Sequence, residues 1–244
     1  QVNNLFFLSL SSLWRLITFK PDIMTHIRIS EEIMMKIPGI QLFCIECDVQ
    51  MKDSPSSLWN LIREESARLS SCLKLEDISS IPAIKASRAA YKACGKDPAR
   101  YRLSAEALLR RTIKGEELYR LGNVVDLLNL VSLSSGFSIG GYDAEKIRGE
   151  VWMGVGEAAE PYTGIGRGEL NIEGLPVFRD EAGAFGSPTS DSERTCVDNN
   201  TGRFLMVIID FGAPHLLQKA GDRAVKLLQE FAEAKNMEIN IVKG

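Results

Sequence analysis

Histidine is the scarcest reactive side chain of this sequence, because its 244 residues include only His26 and His215. The five cysteines are scattered and odd in number, which fits a reducing compartment better than a disulfide framework. Cys44 and Cys47 form a C-x-x-C in the segment FCIEC, whose apolar neighbours predict a strand. Residues three apart in a strand point to opposite faces, so we expect structural cysteines and no zinc or redox site.

The sequence also lacks the common patterns of catalysis and nucleotide binding. It contains no Ser-His-Asp, Cys-His or Walker-type arrangement. The segment GIGRG at 164–168 lacks the spacing, the preceding strand and the following helix of a dinucleotide-binding turn. We therefore predict no metal and no cofactor, and the catalytic residues stay unknown.

The only strongly apolar run near the start of the sequence, at 5–19, is short and is interrupted by Arg15. This composition disfavours a membrane span, and the run has neither a basic leader nor a small-residue cleavage site. The sequence begins with Gln1, and a new pattern follows Met24. We hypothesise that residues 1–23 are a non-native or dispensable extension, and we expect a cytoplasmic protein without a membrane partner.

The hydrophobic pattern predicts one α+β domain over residues 24–244, with a helical, basic N-terminal half and a β-rich C-terminal half with a mixed sheet. The predicted elements of the first half are a strand, a short helix opened by Ser30 and a strand over 25–51, then helices over 54–74, 81–95 and 103–122 and a further helix from 123. Short strands between Gly-rich and Ser/Thr-rich loops follow from residue 150, and the chain ends in a helix over 214–236 and a strand.

Positive charge is concentrated in one part of an otherwise acidic sequence. The net charge is −3, but residues 85–120 contain ten Lys or Arg against four acidic residues, a local excess of six. Lys85, Arg88, Lys92 and Lys96 recur at steps of three and four, which predicts one basic stripe on a helix.

The segment NVVDLLNLVSLSSGFSIGGYDAEKI places three polar residues on a helix that is otherwise suited to burial. Asn123 and Asp126 have the spacing of a helix cap, which favours a structural role for both. Asn129 lies a turn inside the helix among leucines, where an amide without a partner costs about 1–3 kcal/mol. Its side chain either ties a neighbouring loop in place or lines a polar pocket, and the residues alone leave both readings open.

A second polar stretch, GAFGSPTSDSERT at 183–195, is rich in hydroxyl and charged side chains. Such a composition is typical of a solvated turn, and it also suits the rim of a pocket for a small ligand.

The helix segment resembles the tRNA-editing (B3/B4) domain of the phenylalanyl-tRNA synthetase β-subunit family. The residues that align are Asn123, Val124, Val125, Asp126, Asn129, Gly136, Asp143 and Lys146. The segment GLPVFRDEAGAFGSPTSDSERT is similar to the strand, Asp and Gly-rich loop of that family, and the resemblance covers roughly residues 85–212. It implies a compact B3/B4-like fold and an activity that hydrolyses a wrongly attached amino acid from tRNA, as free-standing relatives of the domain would do in trans.

The resemblance also implies a pocket and an RNA-binding surface. The implied substrate pocket contains Asn129, Gly140, Gly141, Ser187, Thr189, Ser190, Asp191, Arg194 and Thr195. The implied RNA-binding residues are Lys85, Arg88, Lys92, Lys96, Arg110 and Arg111, since Lys and Arg supply most of the sequence-independent affinity for phosphates. The expected partners are tRNA or aminoacyl-tRNA and a small amino-acid ligand.

Two departures from the family pattern bear on specificity. Gly140 stands where the family has a pocket histidine, and the glutamate that reads a tyrosine hydroxyl falls near Pro188. Asp191 or Glu193 is a candidate for a displaced acid. The resemblance implies a trans-acting editing-type hydrolase. The alternatives are a non-catalytic amino-acid or tRNA-binding module and a protein-interaction domain that merely retains the fold.

Overall fold

The computed structural model describes residues 24–244, so the proposed extension at 1–23 lies outside the described residues. The helices are α1 (Glu31–Lys36), α2 (Ser56–Cys72), α3 (Pro82–Ala93), α4 (Ser104–Ile113), α5 (Asn123–Ser135) and α6 (Pro214–Phe231). The strands are β1 (Ile27–Ile29), β2 (Gln41–Asp48), β3 (Ser138–Asp143), β4 (Val151–Val155), β5 (Thr163–Gly164), β6 (Gly168–Glu169), β7 (Pro176–Asp180), β8 (Gly183–Gly186), β9 (Arg203–Asp210) and β10 (Lys235–Lys243). This arrangement confirms the predicted α+β class, with most helices in the first half and most strands in the second.

Two four-stranded sheets form the framework. The central sheet has the order β10-β2-β9-β3 and is antiparallel throughout. The second sheet has the order β1-β4-β7-β8 and is mixed, because β1 and β4 run parallel while the other pairs are antiparallel. Strands β5 and β6 form a separate small hairpin.

Both faces of the inner strands β2 and β9 of the central sheet are buried, whereas the edge strand β10 is mostly exposed. On β2, Phe43, Ile45 and Cys47 belong to the core that the sheet shares with α2, α5 and α6. The intervening Leu42 and Cys44 belong to the core between the two sheets. The two thiols of the C-x-x-C therefore lie on opposite faces of one strand, as the alternation of side chains predicts. Burial raises the pKa of each of these thiols to about 12, which keeps both protonated and unreactive.

A third apolar core lies beside the central sheet and joins α3, α4 and β7 around the fully buried ring of Tyr91. No helix among residues 24–244 combines the length and the apolar character that crossing a membrane requires.

The predicted helix over 103–122 is shorter than expected. Helix α4 stops at Ile113, and Gly115 then adopts a φ of +74°, a conformation that ends helices readily because glycine has no Cβ. Ser104 does not cap this helix with its side chain, since it is the first helical residue and its N–H donates to the carbonyl of Pro188. The residues from 116 to 122 form an irregular segment instead of further helical turns.

The start of α5 also differs in detail from the predicted cap. Gly122 occupies the cap position, and Asn123 instead ties distant parts of the chain together. Its Oδ1 accepts from the N–H of Lys52 at 3.1 Å, and its Nδ2 donates to the carbonyls of Gln50 and Phe231 at 2.9 and 2.8 Å. Asn123 thus has the structural role that was predicted, but through tertiary contacts.

Asp126 reaches back across the start of the same helix. One carboxylate oxygen accepts from the N–H of Leu121 at 3.0 Å, and the other accepts from the hydroxyl of Ser54 at 2.5 Å. These contacts satisfy a buried carboxylate and fix the beginning of α5, which carries Asn129 two turns further on.

Candidate functional site

Asn129 lines a cavity of about 520 Å³ between α4, α5 and three loops, which follow α4, β5 and β8. The other lining residues are Arg102, Ser104, Ala107, Leu108, Arg110, Arg111, Lys114, Glu116, Leu118, Tyr119, Leu121, Arg167 and Thr189. Thr189 belongs to the polar stretch at 183–195, so the cavity brings together the helix amide and the hydroxyl-rich loop that the sequence singled out. Of the two readings that were open for Asn129, the structure favours the polar pocket.

Thr189 is fixed at the cavity wall by buried contacts. Its hydroxyl lies 2.8 Å from the hydroxyl of Tyr91, and its N–H donates to the Ser187 hydroxyl at 3.3 Å. Burial raises the pKa of Tyr91, so its phenol stays protonated. Because the carbonyl of Pro188 also accepts from the N–H of Ser104, this loop is docked against the start of α4.

Positive charge dominates the cavity. Five of its lining residues are basic, namely Arg102, Arg110, Arg111, Lys114 and Arg167, whereas Glu116 is the one acidic residue in the described lining. Within residues 24–244, the side chains of Arg102, Lys114 and Arg167 have no ion-pair partner, and all three residues are exposed. A cavity with this excess of cations attracts anionic groups.

Arg110 is positioned by a buried carboxylate. Glu106 is 2% exposed and lies on the preceding turn of α4. Its two oxygens accept from Arg110 Nε at 3.0 Å and from Arg88 Nη1 at 2.9 Å. The pairing satisfies an acid that would otherwise be costly to bury, and it directs the Arg110 side chain along the cavity wall.

The predicted pocket residues next to Thr189 meet behind the cavity. The phenol of Tyr142 donates to Asp191 Oδ1 at 2.8 Å, and the N–H of Gly141 approaches Oδ2 at 3.5 Å. Desolvation raises the pKa of Asp191 to about 7, although the bond from Tyr142 opposes the rise. Burial also raises the pKa of Tyr142, and the charge of Asp191 adds to that effect.

Gly140 is the residue that leaves room for the Tyr142 phenol. A Cβ at position 140 would lie 2.0 Å from Tyr142 Oη, and one at Gly186 would lie 2.2 Å from the same atom. Ser187 and Ser190 stabilise the adjoining turn, because the Ser187 hydroxyl donates to the carbonyl of Ser190 at 2.8 Å. The place where the resemblance puts a histidine side chain is thus filled by a tyrosine.

The remaining predicted pocket residues lie elsewhere. Arg194 lines a different cavity of about 420 Å³, where it forms a two-pronged ion pair with Asp180 at 3.0 and 2.8 Å. Thr195 is fully buried, and its hydroxyl has no hydrogen-bond partner among the described residues. Glu193, the other candidate for a displaced acid, is exposed and lines the same cavity as Arg194.

The predicted RNA-binding residues divide into three groups. Arg110 and Arg111 line the basic cavity. Arg88 is held by Glu106, and the ammonium of Lys96 donates to the carbonyl of Glu173 and lies 4.1 Å from the ring centre of Tyr101. Lys85 and Lys92 are exposed on α3 and have no side-chain partner within the described part of the chain. The free charges on α3 are therefore fewer than the stripe in the sequence suggests.

Sequence reasoning missed several residues of the cavity. Arg102 and Lys114 lie in the basic segment at 85–120 that the sequence revealed, so the local charge excess was the signal for them. Arg167 comes from the GIGRG segment, whose glycines gave no indication of a ligand. Tyr91 does not line the cavity but contacts Thr189, and it had no signal either, since a tyrosine on an amphipathic helix is typical of a core position.

The residues that line the cavity are suited to binding a ligand more than to covalent catalysis. No thiol or imidazole lines the cavity in the described structure, and the Thr189 hydroxyl is engaged with Tyr91. The amide of Asn129 can donate and accept, and the free cations can hold phosphate or carboxylate groups.

Comparison with known proteins places the chain in a family. No curated protein sequence matches it. Among solved structures, a match is the crystal structure of an N-terminal fragment of the phenylalanyl-tRNA synthetase β subunit from Pyrococcus horikoshii. The identity is 15% and the TM-score 0.47, over 87% of this chain and 50% of that fragment, so this chain spans about half the length of the fragment. The B3/4 domain family matches residues 86–233, which is more than half of the sequence and includes α5, the basic cavity and the polar loop. This match confirms the resemblance carried by the α5 segment, and the chain belongs to the B3/4 domain family.

Proposed function

We propose that this domain is a trans-acting editing-type hydrolase that removes a mischarged amino acid from aminoacyl-tRNA. The observation that carries the proposal is the cavity beside Asn129, in which one polar amide and one threonine are surrounded by five basic side chains. Membership of the B3/4 family supports a role linked to tRNA synthetases. The proposal assigns the protein to the cytoplasm, together with its tRNA partner.

The cavity suits a ligand with a small polar end and a negatively charged remainder. Its volume of about 520 Å³ lies within the 300–1,000 Å³ that is usual for small-molecule sites. The aminoacyl end of a tRNA has this character, since an amino acid is esterified to a ribose that is followed by phosphates. We assign Arg102, Lys114 and Arg167 to the phosphates, because these exposed cations have no ion-pair partner among residues 24–244.

The proposed reaction needs little from the side chains of the protein. Water adds to the ester carbonyl, the bond to the ribose oxygen breaks, and the products are the free amino acid and the tRNA hydroxyl. An aminoacyl ester is already activated, so a fixed water and donors for the oxyanion suffice for a large acceleration. Within this scheme Asn129 Nδ2 is the candidate oxyanion donor.

A non-catalytic module that binds an amino acid or tRNA is the second candidate. The observation that favours it is the arrangement at Gly140, where the Tyr142 phenol fills the place of the family histidine. The lining residues then supply recognition without a group that handles protons.

The test is to incubate the full chain with a panel of mischarged tRNAs and to follow the loss of the ester. We expect hydrolysis of at least one pair, and we expect Asn129→Ala to lower kcat/KM about 100- to 1,000-fold, as removal of an oxyanion donor does. Ser134→Ala is the matched control, because Ser134 lies on the same helix but lines a separate cavity. Binding without ester loss would establish the second candidate, and a rate equal to that of buffer for every pair would refute the hydrolase.

A further inference from the structure

An irregular strap, residues 115–122, lies across the basic cavity between α4 and α5. Glycines with positive φ mark both of its ends, with +74° at Gly115 and +102° at Gly122. Glu116 and Leu118 line the basic cavity on one side and a smaller cavity of about 310 Å³ on the other. Tyr119 and Leu121 are 67% and 57% exposed although both are large and apolar. The strap is therefore a thin and mostly exposed partition, which Leu118 anchors against two apolar cores and the N–H of Leu121 anchors to Asp126.

The side chain of Arg111 holds the strap in place through three contacts. Its Nη1 pairs with the Glu116 carboxylate at 3.1 Å, and its Nε donates to the carbonyl of Glu117 at 2.6 Å. Its guanidinium also lies 4.3 Å from the ring centre of Tyr119. Arg111 is thus the one lining cation whose charge is neutralised by the strap itself.

The contact between Glu116 and Arg111 is suited to exchange. The two side chains are 47% and 30% exposed, and ion pairs of such exposure are weak and screened by salt. Arg110, by contrast, is held by the buried Glu106, and an incoming anion that drew Arg110 away would leave one oxygen of that carboxylate without its partner. Arg111 is therefore the paired cation of the cavity that a ligand can recruit.

We propose that Glu116 is an internal competitor for the anionic ligand of this cavity. Its carboxylate occupies the place on Arg111 that a ligand phosphate takes, and the strap moves away when the phosphate binds. The inference rests on the proposed function for the identity of the ligand, an RNA end. It adds that Glu116 lowers the affinity of the domain for RNA, so that only a ligand that also fills the cavity binds tightly.

The experiment compares Glu116→Gln with Glu117→Gln in the full chain, using a fluorescent single-stranded RNA hexanucleotide as the probe. Both variants remove one negative charge from adjacent positions, but only Glu116 has its carboxylate on Arg111 and lines the basic cavity. We expect Glu116→Gln to lower Kd about 3- to 10-fold at low salt, because RNA no longer has to displace a carboxylate from Arg111. The slope of log Kd against log salt should stay the same, since the phosphate contact to Arg111 forms in both proteins. Glu117→Gln should change Kd by less than about twofold, since screening weakens unpaired charges.

Hydrogen exchange of the strap amides supplies a second readout. RNA should speed exchange at 116–121 in the wild-type protein if the strap is displaced. Equal effects of the two variants, slower exchange at 116–121 on addition of RNA, or the absence of RNA binding by every protein would each overturn the inference.

The two proposals fail in distinguishable ways. If no mischarged tRNA is hydrolysed but Glu116→Gln alone tightens RNA binding, the competitor role stands without the hydrolase. If hydrolysis occurs while both variants bind RNA alike, the hydrolase stands and the competitor role does not.

Discussion

Replacing Asp191 by Asn should change how the stability of the domain depends on pH. The folded state raises the pKa of this carboxyl from 3.8 to about 7, mainly because the group is removed from water. A folded-state pKa above the unfolded one means that the folded protein binds the proton more tightly. The free energy of unfolding therefore falls as the pH rises from about 4 to about 7, and the contribution is constant above that.

The magnitude follows from the same shift. Ionising the buried carboxyl costs about 4 kcal/mol in all, and about 2–3 kcal/mol of that cost falls between pH 5 and pH 8. An asparagine at 191 does not titrate, but its amide oxygen still accepts from the Tyr142 phenol. We therefore expect the free energy of unfolding of Asp191→Asn to rise by about 2–3 kcal/mol relative to that of the wild-type protein when the pH is raised from 5 to 8.

The assay is urea unfolding of both proteins at pH 5 and pH 8, followed by circular dichroism. Every other titrating group is shared, so the difference between the two proteins isolates Asp191. Asp198→Asn is the control without a pH effect in this range, because the Lys146 ammonium at 2.6 Å lowers the pKa of the exposed Asp198 carboxyl below its ordinary value of 3.8. That variant should be less stable than the wild-type protein by the same amount at pH 5 and at pH 8. A stability difference for Asp191→Asn that is equal at pH 5 and pH 8 would refute the reasoning.

Three further substitutions test the framework around the cavity. Asn123→Ala should cost about 1–3 kcal/mol, because it removes the partner of three main-chain groups, of which the carbonyl of Phe231 is buried. A midpoint of urea unfolding within error of wild type would contradict this. Glu106→Gln should weaken the ion pair with Arg110 and lower the free energy of unfolding by about 1–3 kcal/mol, measured by thermal unfolding. The Arg110 side chain should also become more mobile in NMR spectra. An unchanged Tm would show that the carboxylate is dispensable. Gly221→Ala should gain about 1 kcal/mol of stability from helix propensity but lose about 1–3 kcal/mol to steric overlap, since its Cβ would lie 2.3 Å from the Phe43 ring. Calorimetry that gave a higher Tm would mean that the core rearranges to accept the methyl group.

Local signals were sufficient for much of the fold. Helix α1 begins where the Ser30 hydroxyl oxygen accepts a hydrogen bond from the N–H of Ile33, and β2 lies where the apolar run predicts it. Strand β3 was not predicted, because its glycines read as a loop and it is a strand only through pairing with β9, more than sixty residues further on. The end of α4 was misjudged because the residues after Gly115 favour helix formation locally, whereas contacts of Arg111 with the strap determine their path.

The site shows the same division between local and distant signals. Asn129 was recognised because an amide among leucines is unusual, and the basic segment identified most cations of the cavity. The bond between Tyr142 and Asp191 and the position of Arg167 depend on how loops far apart in sequence dock on the sheets. A one-dimensional pattern carries no information about such contacts. The prediction therefore named a loop that contributes Thr189 to the cavity, but it assigned to one pocket residues that line two cavities or lie outside both.

The packing of the Tyr142 phenol between Gly140 and Gly186 limits how this domain can be redesigned. Any side chain larger than hydrogen at 140 or 186 forces the ring at 142 to take a new direction, since Oη lies 2.0 and 2.2 Å from those Cβ positions. Once the ring turns, the carboxyl at 191 loses its donor and stays enclosed without a hydroxyl to meet it. Grafting an imidazole at 140 alone would therefore damage the scaffold before it altered selectivity. Libraries that vary positions 140, 142 and 191 together can avoid this loss of stability, whereas single substitutions introduced one after another encounter it at the first change.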